Sequence, residues 1–80
     1  MKARIVITLK SAVLDPQGKA IEGALKTLGF DGVRGARQGK VIDLDLAATD
    51  EAAARADIAK MCEALLVNGV IETYEIAAIG

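Results

Sequence analysis

Asp43 and Asp45 lie two apart in Val41-Ile42-Asp43-Leu44-Asp45-Leu46, and at that spacing two carboxylates on an extended chain share a face. As a pair they would suit a divalent cation, or acid–base work with one carboxyl donating and the other accepting. The same alternation supplies a plainer reading, in which Ile42, Leu44 and Leu46 point inward and the two aspartates are the solvated side of a strand. Histidine is absent, which removes the commonest general base and every Ser-His, Cys-His or His-metal arrangement. Cys62 is the only cysteine, so neither an internal disulfide nor a C-x-x-C metal framework exists. It falls on the apolar stripe of a helical segment and reads as a small core side chain before it reads as a reactive thiol.

Gly32, Gly35 and Gly39-Lys40 raise the question of a phosphate loop. The spacing G-x-x-x-x-G-K-[ST] fails, because Arg34 stands where a glycine is needed and Val41 where a hydroxyl is needed. Arg34, Arg37 and Lys40 nevertheless form a local basic cluster. It is either a solvated turn or a contact for an acidic partner surface or a ligand phosphate, and Gly39 would let a partner approach the backbone closely. Arg37, Gly39 and Lys40 are therefore the candidate partner-docking residues. Phe30 and Tyr74 are the only aromatics and the net charge is −1, so neither base stacking nor a phosphate-tracking basic face is expected, and no nucleic-acid partner.

The elements that must position these residues follow from periodicity and caps. Residues 3–10 alternate, with Ala3, Ile5, Ile7 and Leu9 on one face. Asp15 is a preferred N-cap and Pro16 suits the first helical position, so a helix runs from Pro16 to Leu28 with Ile21, Ala24, Leu25 and Leu28 as its stripe. Gly29 ends it. Val33–Arg37 reads as a short second strand, turned by Gln38-Gly39 into a strand over Val41–Ala47. Thr49 or Asp50 caps a second helix with the stripe Ala54, Ile58, Met61, Cys62, Leu65 and Leu66, and Asn68-Gly69 closes it. Val70–Ile79 is the last strand. The order β-α-β-β-α-β predicts an α+β ferredoxin-like sandwich: a four-stranded antiparallel sheet with both helices on one face. Val6, Thr8 and Val41, with Ile71 or Thr73, are expected on the bare face, and Val6 and Val41 are the candidate dimer contacts.

Eighty residues suit one domain, 1–80, which buries only about 60% of its unfolded surface. Yet 52% of the residues are hydrophobic, so self-association or docking on a partner is expected. The apolar run in MKARIVITLK is too short and too alternating for a signal peptide or a membrane span, and a cytoplasmic setting is the default.

Four pieces in order carry a family likeness: V-L-D-P-Q-G-K-A-I from Val13; Val33 with R-Q-G-K from Arg37; M-C-E-A-L-L-V-N from Met61; and V-I-E-T-Y-E-I from Val70. Together they span essentially the whole chain, which resembles the PurS subunits of phosphoribosylformylglycinamidine synthase. Gly69 departs from the proline frequent at that place in the family, and the Val33–Ala36 stretch is richer in glycine than usual. The resemblance implies a small subunit without chemistry of its own, in de novo purine biosynthesis. A glutaminase (PurQ) releases ammonia, and a synthase (PurL) uses ATP and Mg to add it to formylglycinamide ribonucleotide. The small subunit, a homodimer or dimer of dimers, bridges the two and assists ammonia transfer. It binds no cofactor or metal itself. The competing reading is a regulatory module of the same topology that binds a small molecule; a stand-alone acylphosphatase-like enzyme lacks its G-x-V-x-x-R loop.

Overall fold

In the computed structural model, which describes residues 1–80, the first alternating segment becomes β1 (Lys2–Leu9), with Ala3, Ile5 and Ile7 buried and Lys2 and Arg4 exposed. The chain continues through α1 (Pro16–Thr27), β2 (Gly39–Asp45), α2 (Glu51–Met61) and β3 (Glu72–Ile79). β1 is the middle strand of an antiparallel sheet ordered β2-β1-β3. Ile5 lies opposite Ile42 on one side and Ile76 on the other, and an extra residue in β3, Ala77, makes a bulge beside Arg4 and Ile5. At the open end of the sheet Lys2 and Gly80 exchange both backbone hydrogen bonds at 2.9 Å.

Both helices start where their caps predict. Asp15 accepts from the Gly18 N–H at 2.8 Å, and Asp50, not Thr49, accepts from the Ala53 N–H at 3.0 Å. α1 stops in a Schellman motif: the Phe30 N–H reaches Leu25 O and the Gly29 N–H reaches Lys26 O, with Gly29 at φ 96°.

The core is Ala3, Ile5 and Ile7 of β1 against Ala54, Ile58 and Cys62 from the second helical segment, ringed by half-buried Ile42, Leu44, Leu46, Ile76 and Ile79. Each fully buried isoleucine contributes about 1.5–3 kcal/mol relative to an exposed one. α2 runs on into one π-helical turn, Cys62–Leu66, where the Val67 N–H reaches Cys62 O at 3.0 Å. The wider turn rotates the stripe, so Leu65 is 84% exposed instead of packed.

Three expectations are corrected. The sheet has three strands, not four: Val33–Arg37 is not a strand, and Gln38-Gly39 is not a hairpin turn. A two-residue hairpin needs positive φ, and Gly29 alone in the chain has it. Gly39 is instead a strand residue opposite Thr8, so close that a Cβ there would lie 2.6 Å from Ile7 O. Nor do both helices cover the sheet. The only buried residue of α1 is Gly18, and Ile21 and Leu28 of its stripe are exposed. Finally, the bare face is mainly charged. Val6 lies opposite Val41, but Arg4 faces Asp43, Lys2 faces Asp45, and Glu75 and Thr73 line the other side. No helix is long and apolar enough to cross a membrane.

Candidate functional site

The residues singled out for docking gather at the end of the sheet where β1 finishes, α1 begins and β2 starts. The organising group is Asp15, which is buried. One carboxylate oxygen caps α1 through Gly18, and the other accepts from the Gln38 N–H at 2.7 Å. These two backbone donors, Gln38 first, hold the carboxyl below its ordinary range, since both stabilise the charged form. Gly18 completes the joint by shape: a Cβ there would collide with the carbonyl of Ala36. α1 and the start of β2 are thus fastened to one another through Asp15 and Gly18.

Arg37 turns back onto the end of β1, donating from Nη2 to Lys10 O at 2.9 Å and to Leu9 O at 3.5 Å. The Lys40 ammonium stands 3.5 Å from the Glu72 carboxylate. Glu72 in turn accepts from the Asn68 N–H at 2.8 Å, and this bond, ahead of Lys40, lowers its pKa. Lys10 closes the ring by donating to Gly69 O at 2.8 Å. Arg37, Gly39 and Lys40 are therefore brought together, and each is engaged within the chain. Lys40 keeps an exposed flank in an open hollow of about 430 Å³ that Asp15, Gln38, Gly39 and Glu72 also line, whereas Arg37 borders a separate hollow of about 210 Å³ with Glu22 and Arg34. Arg34 makes no ion pair or side-chain hydrogen bond.

The other candidates lie elsewhere. Asp43 is held by Nε and Nη2 of Arg4, at 2.9 and 3.1 Å, which lowers its pKa and engages both its oxygens. Cys62 is buried, and desolvation raises its thiol pKa, away from nucleophilic use. Val6 and Val41 form an adjacent pair on the bare face, where their neighbours are Arg4, Asp43, Glu75 and Thr8. Sequence reasoning found the N-cap role of Asp15 in the Asp-Pro pair but missed its second partner, because Gln38 is 23 residues away and nothing local announces it.

Comparison with known proteins places this arrangement in context. The PurS family model, described as phosphoribosylformylglycinamidine (FGAM) synthase, matches residues 2–80. The phosphoribosylformylglycinamidine synthase subunit PurS of Synechocystis sp. is 50% identical over 78 residues, covering 95% of this chain and 78% of that protein. The corresponding subunit of Methanocaldococcus jannaschii is 40% identical over 75 residues, covering 94% and 90%. Among solved structures, a PurS subunit from Thermotoga maritima matches with a TM-score of 0.88 at 37% identity, over 98% of this chain and 90% of that one. A chain in the structure of PurLQS from Thermotoga maritima matches with a TM-score of 0.84 at 34% identity, covering 99% of each chain.

Proposed function

The chain belongs to the PurS family, subunits of the glutamine-dependent FGAM synthase of purine biosynthesis, and from that premise we propose that it is the non-catalytic bridge of a PurL–PurQ assembly. In this reading PurQ frees ammonia from glutamine, and PurL activates formylglycinamide ribonucleotide with ATP and Mg. The small subunit, as a homodimer or dimer of dimers, holds the two together so that ammonia passes between them. It binds no cofactor of its own.

The observation that carries the reading is the likeness, over 99% of both chains, to the chain in PurLQS from Thermotoga maritima. The site chemistry fits it. The basic residues at the sheet end are each engaged within the chain, Arg37 by Lys10 O and Lys40 by the Glu72 carboxylate, as suits a contact surface, and no nucleophile–base pair stands near them. Arg37, Gly39 and Lys40 are the proposed contact with the larger subunits, and Val6 and Val41 a proposed self-contact.

The test reconstitutes PurL and PurQ with and without this chain. Glutamine-dependent synthesis should require it, whereas synthesis from added ammonia should proceed in its absence. Unchanged glutamine-dependent turnover on omission would overturn the bridging role.

A further inference from the structure

We propose that the free edge of β3 is a second docking site, at which an extended segment of a larger subunit adds a strand beside Tyr74, Glu75 and Ile76, with an apolar side chain on either side of a basic one that meets Glu75. The inference deepens the bridging reading and rests on it. A bridge between two different proteins needs two separate contact surfaces, and Arg37, Gly39 and Lys40 supply one.

The backbone is the first observation. β3 pairs with β1 and with no other strand, so its outer edge is open. The Lys10 N–H donates to Ile71 O, which makes these two a bonded pair of the antiparallel ladder. Bonded and non-bonded pairs alternate along such a ladder. Thr73 and Glu75 therefore turn their backbone groups toward Thr8 and Val6 of β1, and Tyr74 and Ile76 turn theirs outward. The outward N–H and C=O groups have no partner within the chain, and an added antiparallel strand would take both bonds at each residue. The bulge at Ala77 ends the straight stretch, so the added strand is short.

The second observation is the space beside that edge. An open hollow of about 410 Å³ lies between β3 and the end of the second helical segment, with Ala59, Cys62 and Val67 on the helical side and Tyr74 on the strand side. Tyr74 and Ile76 stand opposite Ile7 and Ile5, on the face that carries the core, and Tyr74 is still 38% exposed. Side chains opposite them on an added strand would point to the same face, into the hollow, where apolar groups gain cover.

Charge is the third. Glu75 points to the other face, is exposed and has no ion pair within the chain. Its neighbour on β1 is Val6, and Arg4, the next residue on that face, is taken by Asp43. The place opposite Glu75 on the open side is a non-bonded pair, where cross-strand side chains come closest, so a lysine or arginine there would complete it. The same carboxylate disfavours a second copy of this chain. Two β3 edges meeting antiparallel, with Tyr74 of each against Ile76 of the other, would pair all the outward groups but set Glu75 directly against Glu75.

Two variants and one measurement on the unaltered protein test this. Tyr74→Pro removes an N–H that bonds nothing within the chain, a place where an edge strand tolerates proline. Glu75→Lys reverses the unpaired charge. Both should keep the sedimentation mass and nearly the melting temperature of the unaltered protein, while each weakens assembly with PurL and PurQ by about tenfold or more. Unchanged assembly for both would overturn the site. Hydrogen exchange decides if Tyr74→Pro does not fold. The amides of Thr73 and Glu75 should be slow throughout, whereas those of Tyr74 and Ile76 should exchange freely in the isolated protein and become protected in the complex. Free exchange at Tyr74 and Ile76 in the complex overturns the proposal, as does protection in the isolated protein that rises with its self-association. Glutamine-dependent synthesis is scored in the same samples. If no complex forms and synthesis does without this chain, the bridging reading falls and the site with it; full synthesis with Tyr74 and Ile76 still exchanging freely removes the site alone.

Discussion

Asp15 does two jobs with one carboxylate, and its substitution separates them from ordinary capping. Asp50 caps α2 through a single exposed bond, and Asp50→Ala should cost about 1 kcal/mol in urea unfolding. Asp15→Ala should lower the unfolding midpoint more, because it also strips the acceptor from Gln38, and Asp15→Asn should recover only part. The acid limb follows from the same groups. Asp15, Asp43 and Glu72 all have folded pKa values below their unfolded ones. Their stabilisation is therefore fully present above the unfolded value of about 4 and is lost as pH falls from there through the folded values. Urea midpoints measured between pH 5 and pH 3 should drop, and Asp15→Asn should flatten that drop more than Asp43→Asn, whose ion pair with Arg4 is exposed and screened. Arg37→Ala removes exposed bonds to carbonyls, a net loss of about 0.5–1.5 kcal/mol by thermal melts. If Arg37 also meets a larger subunit, the same change should weaken co-purification with PurL and PurQ far beyond that.

At the scale of elements, packing depends on one helix. Ile58→Ala, in the tightest part of the core, should cost about 2–5 kcal/mol. Leu65→Asp should stay within about 0.5 kcal/mol, because the π-helical turn has carried Leu65 into solvent. Equal, large losses for both would show that the turn winds as an ordinary α-helix. Much of this level is legible in the residues. The alternation of Ala3, Ile5 and Ile7 and of Ile42 and Leu44 marks the strands, and Asp15-Pro16 and Asp50 mark both helix starts, because these signals are local. The failures are non-local. Whether Gln38-Gly39 turns or runs straight depends on Asp15 and Arg37 reaching across from distant segments. An apolar stripe on a helix says that it seeks cover, not where the cover lies, and so Ile21 and Leu28 read as core residues but lie at the surface of this chain. The basic cluster of Arg37 and Lys40 is visible in the sequence as charge, while its engagement with Lys10 O and Glu72 is not.

The whole molecule is long and thin, 48 × 25 × 14 Å, with α1 fixed at its first turn and otherwise uncovered. The proposed self-association predicts a mass above 8.3 kDa on sedimentation at micromolar concentration. A clean monomer there would contradict this. The ladder also imposes an order in time. β1, the first strand to leave a ribosome, is the middle strand, and one of its two flanks is β3, the last. Pairing Ala3 with Ile79 closes almost the full length of the chain before any reward from that contact is collected, which places folding among the slow, non-local cases of milliseconds to seconds. Until Tyr74 and Ile76 of β3 are available, Ile5 and Ile7 have a strand neighbour on one side only. Nascent chains halted before Glu72 should therefore remain protease-sensitive throughout, helices included, and gain resistance in a single step once β3 is free to join.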